Sequence, residues 1–173
     1  TARDAMPDIS MPQLASYPGG EERVDWHIRE GLATFEQYFG SRPAGCWPSE
    51  GGVSAAALHK LEQHGFSWAA SGESVYRHSQ ANKENKLLSG CSLYQGFTVD
   101  GGKLACFFRD DGLSDLIGFT YSDWHADDAV GNLIDHLENI AASSRDQDKP
   151  LVSIILDGEN AWEHFPENGY YFL

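Results

Sequence analysis

Cysteine is scarce in this 173-residue chain, and the three present, Cys46, Cys91 and Cys106, are odd in number and far apart. That spacing supports neither a disulfide framework nor a CxxC metal site, and a reducing cytoplasm is the expected setting. Positive charge is scarce as well. Twelve lysines and arginines face 26 aspartates and glutamates, a net charge of −14. Nucleic-acid backbones and anionic membrane surfaces recruit basic patches, so neither is an expected partner. Long apolar runs are missing, none approaching the ~18 residues of a membrane span. Residues 1–20 hold no stretch suited to a signal peptide. Repeats and low-complexity segments are absent too. What remains is a chain with 41% hydrophobic residues, enough for a core. The acidic balance is compatible with a neutral substrate such as a sugar, without indicating one.

The apolar pattern orders the chain. Residues 1–20, with Pro7, Pro12, Pro18 and the Gly19-Gly20 pair, read as an irregular lead-in. Val24, Ile28, Leu32, Phe35 and Phe39 recur at helical spacing from Glu21 onward, and Gly40 marks the stop. Ser54 is placed to cap a helix running to His64, with Gly65 after it, and Phe66–Ala70 reads as a buried strand. Alternation of helix and strand favours a parallel sheet with crossover helices. Residues 72–92 read as polar and irregular, with 82–86 as a solvated tip. The runs 93–99 and 103–108 flank Asp100-Gly101-Gly102 as a hairpin. A helix is expected over 126–142, and Leu151–Leu156 reads as the clearest strand.

Chemistry gathers where carboxylates follow apolar strands. Glu50 follows Gly45-Cys46-Trp47-Pro48-Ser49, and Asp157 opens Asp157-Gly158-Glu159-Asn160-Ala161-Trp162. In parallel sheets and barrels the loops at the C-terminal strand ends converge on one face. Glycine lets backbone approach a ligand there, and tryptophan offers a flat face. Two carboxylates across a scissile bond are the equipment of glycoside hydrolysis, yet each carboxylate equally suits a helix cap. Asp110, after Phe107-Phe108-Arg109, either reaches the same face or caps a helix, and Arg109 is placed to pair with a nearby acid. Trp47 and Trp162 suit either sugar stacking or core packing. The seven histidines include no HxH or HxxxH pair, and His59 and His64 are five apart, so no metal is expected.

Three ordered segments, GCWPSEGGVS, FFRDDGLSDLIGFTYSDW and ILDGENAWEHF, resemble blocks of glycoside hydrolase family 57, most nearly its α-amylase and amylopullulanase members. The stretch from Pro7 to Pro43 resembles the segment that precedes the first block. The resemblance implies an incomplete seven-stranded (β/α) barrel, so the expected fold is α/β, a fragment of that barrel with parallel strands, plus the one hairpin read from residues 93–108. It implies a retaining enzyme on α-linked glucans, with Glu50 as nucleophile and Asp157 as general acid/base. Trp47, Asp110, Trp162 and Glu159 become expected substrate contacts, and no cofactor is implied. Such chemistry needs the two carboxylates about 5–5.5 Å apart, with Asp157 able to hold a proton.

The chain departs from the family in lacking the early His-Gln-Pro-like block. It is therefore expected to be the later part of a barrel, with little activity by itself and a tendency to self-associate through an unpaired sheet edge. Cys46 stands where the family has a larger apolar residue, and no nearby histidine would activate it. Three rival functions remain at this level. A glucan transglycosylase shares the intermediate but passes it to a sugar hydroxyl. A noncatalytic carbohydrate-binding protein would lack turnover, and a metal-dependent deacetylase would be sensitive to chelators.

Overall fold

The computed structural model describes residues 18–81, 92–99, 101–159 and 161–173. The lead-in up to residue 17, the tip at 82–86 and Cys91 lie outside the described residues. Two compact units are formed, one from Thr1–Ser71 with Gly96–Phe107 and one from Gly72–Gln95 with Phe108–Leu173.

The first unit opens with α1, Gly20–Phe39, bracketed by Gly19 and Gly40, both in the left-handed region at φ 67° and 72°. Gly40 N–H donates to the Glu36 carbonyl at 2.8 Å and closes the last turn. The expected apolar face is present, but only Leu32 is fully buried on it. Strands β1 (Gly45–Cys46), β2 (Trp68–Ser71) and β3 (Ala105–Phe108) form a small three-stranded parallel sheet in that order. Gly45 pairs with Trp68 and Cys46 with Ala69. Glycine is required at 45, because a Cβ there would lie 1.9 Å from the Trp68 indole. Between β1 and β2 runs α2, Ala55–Gln63, where Ser54 Oγ accepts from Ala57 N–H at 3.2 Å as expected of an N-cap.

Leu58 and Leu61 of α2 are buried. On its other side Lys60 and His64 reach Asp25 of α1 at 3.0 and 2.8 Å. Among the described residues, which leave out Asp100, the expected hairpin is one antiparallel bridge. Phe97 and Cys106 exchange both backbone hydrogen bonds, at 2.9 and 2.7 Å, while Lys103 N–H turns aside to the Glu62 carboxylate at 2.8 Å.

The second unit holds a helix that the sequence reading leaves irregular: α3, Glu73–Ala81. A Glu73–Arg77 pair one turn apart supports it, and buried Tyr76 packs on Phe108 with ring centres 5.2 Å apart. After Phe108 come α4 (Asp111–Asp115), a wide turn over Leu116–Thr120 and a tight one over Tyr121–Asp123. The long α5, Ala126–Ser143, matches expectation. Ile117, Tyr121, Ala129 and Phe165 form the buried centre, with Leu133, Leu156, Trp162 and Phe172 packed around it. The strand expected over 151–156 is a correction. Among the described residues its one bridge is at Ser153, in parallel with Arg109; Leu151 N–H donates to the Tyr94 carbonyl at 3.0 Å, and beyond Ser153 the side chains of Arg109 and Ser114 meet the Ile155 backbone. The described residues are thus α/β with a small parallel sheet, and a seven-stranded barrel is not seen among them.

Candidate active site

Behind β1 the chain turns sharply. Pro48 carbonyl accepts from Gly51 N–H at 2.9 Å, and Ser49 carbonyl from Gly52 N–H at 3.0 Å. Glu50 sits inside this turn at φ 54°, ψ 23°, followed by Gly51 at φ 66°. The left-handed region costs a residue with a Cβ about 1–2 kcal/mol, so something must hold Glu50 there. The lock is Ser71, fully buried at the end of β2, whose hydroxyl donates to the buried Gly51 carbonyl at 2.5 Å. Glu50 itself stays exposed, as does Trp47 at 41%. The helix cap is Ser54, so Glu50 is not needed for that duty.

Asp157 is carried differently. Ser153 is bridged to Arg109, and its carbonyl accepts from Asp110 N–H at 2.8 Å. Ile155 is then gripped from both sides. Its carbonyl accepts from Arg109 Nε at 2.9 Å, and its N–H donates to Ser114 Oγ at 3.2 Å. Arg109 is fixed in turn by Asp111 at 2.8 Å and Asp115 at 2.6 Å. Burial opposes its charge, but the two carboxylates outweigh that and raise its pKa. Asp157 and Glu159 then emerge exposed beside a turn, and among the described residues no helix begins there for Asp157 to cap.

The remaining candidates separate cleanly. Asp110 is buried and caps α4: one oxygen accepts from Leu113 N–H at 2.8 Å, the other from the Tyr94 hydroxyl at 3.0 Å. Burial, then the Asp110 charge, pushes the Tyr94 pKa up, so its hydroxyl remains a donor. Trp162 is half-buried, its ring centre 5.5 Å from Phe165 and 6.2 Å from Phe172. Glu50 and Trp47 therefore belong to the first unit, and Asp110, Asp157, Glu159 and Trp162 to the second. Within the second, Asp157 and Glu159 share one exposed turn, whereas Asp110 is enclosed by its capping bonds. Ser71 and Ser114 escape sequence reasoning, since a lone serine after an apolar run carries no distinguishing pattern.

Burial raises the pKa of Cys46 and pushes that of Cys106 up to about 11, which keeps both as thiols rather than nucleophilic thiolates. Among the described residues no group of three or more His, Cys, Asp and Glu side chains is gathered as a metal site. None of the described helices is long and apolar enough to cross a membrane.

Exposed carboxylates on turns beside tryptophans, carried by an α/β scaffold, fit a carbohydrate-active enzyme. The model of glycosyl hydrolase family 57 matches residues 10–173, and the chain belongs to that family. No curated protein matches it.

Proposed function

We propose that the full-length protein is a retaining glycosidase of α-linked glucans, with Glu50 as nucleophile and Asp157 as general acid/base. The observation that carries this reading is the Glu50 turn. A non-glycine residue is held left-handed, its neighbour locked by a buried hydroxyl, while its own carboxylate faces solvent. Backbone strain of this kind persists where surroundings over-determine it, and it concentrates at functional sites.

In the first step the Glu50 carboxylate attacks the anomeric carbon, and the glycosidic oxygen leaves with the Asp157 proton. Asp157, now a carboxylate, takes a proton from water in the second step. That water displaces Glu50 from the sugar and regenerates both groups. Trp47 supplies an exposed ring for stacking, Glu159 accepts from sugar hydroxyls, and Trp162 steadies the loop behind Asp157. Asp110 we assign to holding α4.

The test is Glu50→Gln and Asp157→Asn in the full-length protein, assayed on maltooligosaccharides with the first-formed anomer followed by NMR. Each substitution should lower turnover by orders of magnitude, and the wild type should release the α anomer first. Near-normal turnover in either variant, or release of the β anomer, overturns the assignment.

A further inference from the structure

In the second unit, residues within 121–127 and 165–172 line a cavity of about 410 Å³, within the size range of small-molecule sites. Part of its lining is buried core, Tyr121 at 1% exposure and Phe165 at 7%. Part is open, Trp124 at 42% and Tyr171 at 65%. The Tyr121 hydroxyl is already spent on Asn132 at 2.7 Å. Polar recognition therefore falls to the exposed pair His125 and Asp127, 3.9 Å apart.

A second observation concerns the backbone that joins two lining residues, Pro166 and Gly169. Glu167, Asn168 and Gly169 are successively left-handed, at φ 50°, 53° and 84°. Glu167 is strained there, whereas asparagine at 168 tolerates this region. Gly169 also admits no Cβ without crowding the Trp162 ring at 3.2 Å. Aromatic packing holds the turn: Phe172 lies 5.3 Å from Phe165 and 5.8 Å from Tyr121. Strain fixed this way next to a cavity points to a ligand.

The chemistry of the lining selects the ligand. Flat rings with a thin polar rim suit a molecule whose faces are CH and whose edge is hydroxyl. An anion would meet Asp127 and a chain of net charge −14, and an apolar peptide would leave His125 and Asp127 unused. We infer that this cavity is an accessory α-glucan subsite, with Trp124 and Tyr171 as stacking surfaces. The inference rests on the glucan reading above.

The experiment measures maltoheptaose binding by calorimetry in the full-length protein carrying Glu50→Gln, which prevents turnover. Adding Trp124→Ala should weaken binding about tenfold, and Trp124→Phe should restore most of it by returning a flat ring. Tyr171→Ala provides the same test at a more exposed position if Trp124→Ala does not fold. Unchanged affinity in folded Trp124→Ala and Tyr171→Ala overturns the subsite and leaves the catalytic assignment standing. If the Glu50→Gln protein binds no maltoheptaose and the wild type turns none over, the glucan reading falls and the subsite falls with it.

Discussion

The two carboxylate turns are held by opposite means. Glu50 follows a strand whose backbone is paired residue for residue, Gly45 with Trp68 and Cys46 with Ala69, and then enters a strained turn pinned by one buried hydroxyl. Asp157 follows a segment with, among the described residues, one bridge at Ser153, and side chains of Arg109 and Ser114 hold the Ile155 backbone that comes next. Main-chain pairing carries the first turn, whose left-handed Glu50 presents an exposed carboxylate. Side-chain clamps carry the second. Under the proposed mechanism that contrast suits Glu50 as a nucleophile that must strike one carbon and Asp157 as an acid/base that must serve a leaving oxygen and then a water.

The contrast can be broken on the Asp157 side first. Arg109→Met should lower turnover by about 10²-fold, because it frees the Ile155 carbonyl two residues before Asp157 and small misplacements are costly. It should also lower the thermal midpoint, because the Arg109 side chain is largely buried and its loss leaves the Ile155 carbonyl without its donor. Steady-state kinetics beside thermal unfolding checks both parts. On the Glu50 side, Ser71→Ala leaves the buried Gly51 carbonyl without its donor and should cost about 1–3 kcal/mol in urea unfolding.

Glu50→Gly sharpens the comparison further. It relieves the left-handed backbone and should raise stability by about 1 kcal/mol while abolishing turnover. Asp157→Gly should bring no such gain. The smallest effect concerns Asp25, whose carboxyl is held below the ordinary aspartate range by hydrogen bonds from His64 and then Lys60. A pKa lowered on folding contributes stability above the unfolded value, and that contribution is lost as pH falls through the folded one. Urea midpoints of Asp25→Asn and wild type should therefore differ at neutral pH and converge below about pH 4.

Much of this was readable in the residues because the signals are local. The helix-stop glycines at 40 and 65, the Ser54 cap and the periodicity of 126–142 each act within a turn or two of the chain, and the structure has them all. The family blocks pointed to Glu50 and Asp157. Non-local partners were not readable. Leu151–Leu156 has a strand's composition, yet composition cannot show that Arg109 and Ser114, 46 and 41 positions from Ile155, would replace the neighbouring strand's backbone. The α3 helix was missed for a different reason: its polar face hides a Glu73–Arg77 pair and a single buried Tyr76. Asp110 offered two roles, and its buried bonds to Leu113 and Tyr94 show the cap.

The most direct test of the account is to trap the glycosyl–enzyme intermediate. Full-length protein is incubated with a 5-fluoro-α-glucosyl fluoride, digested, and the labelled peptide located by mass spectrometry. The account predicts one sugar unit in ester linkage on Glu50, with no adduct in Glu50→Gln. A sugar attached to a different carboxylate, or turnover of the fluoride with β-anomer release and no adduct on any residue, would contradict it.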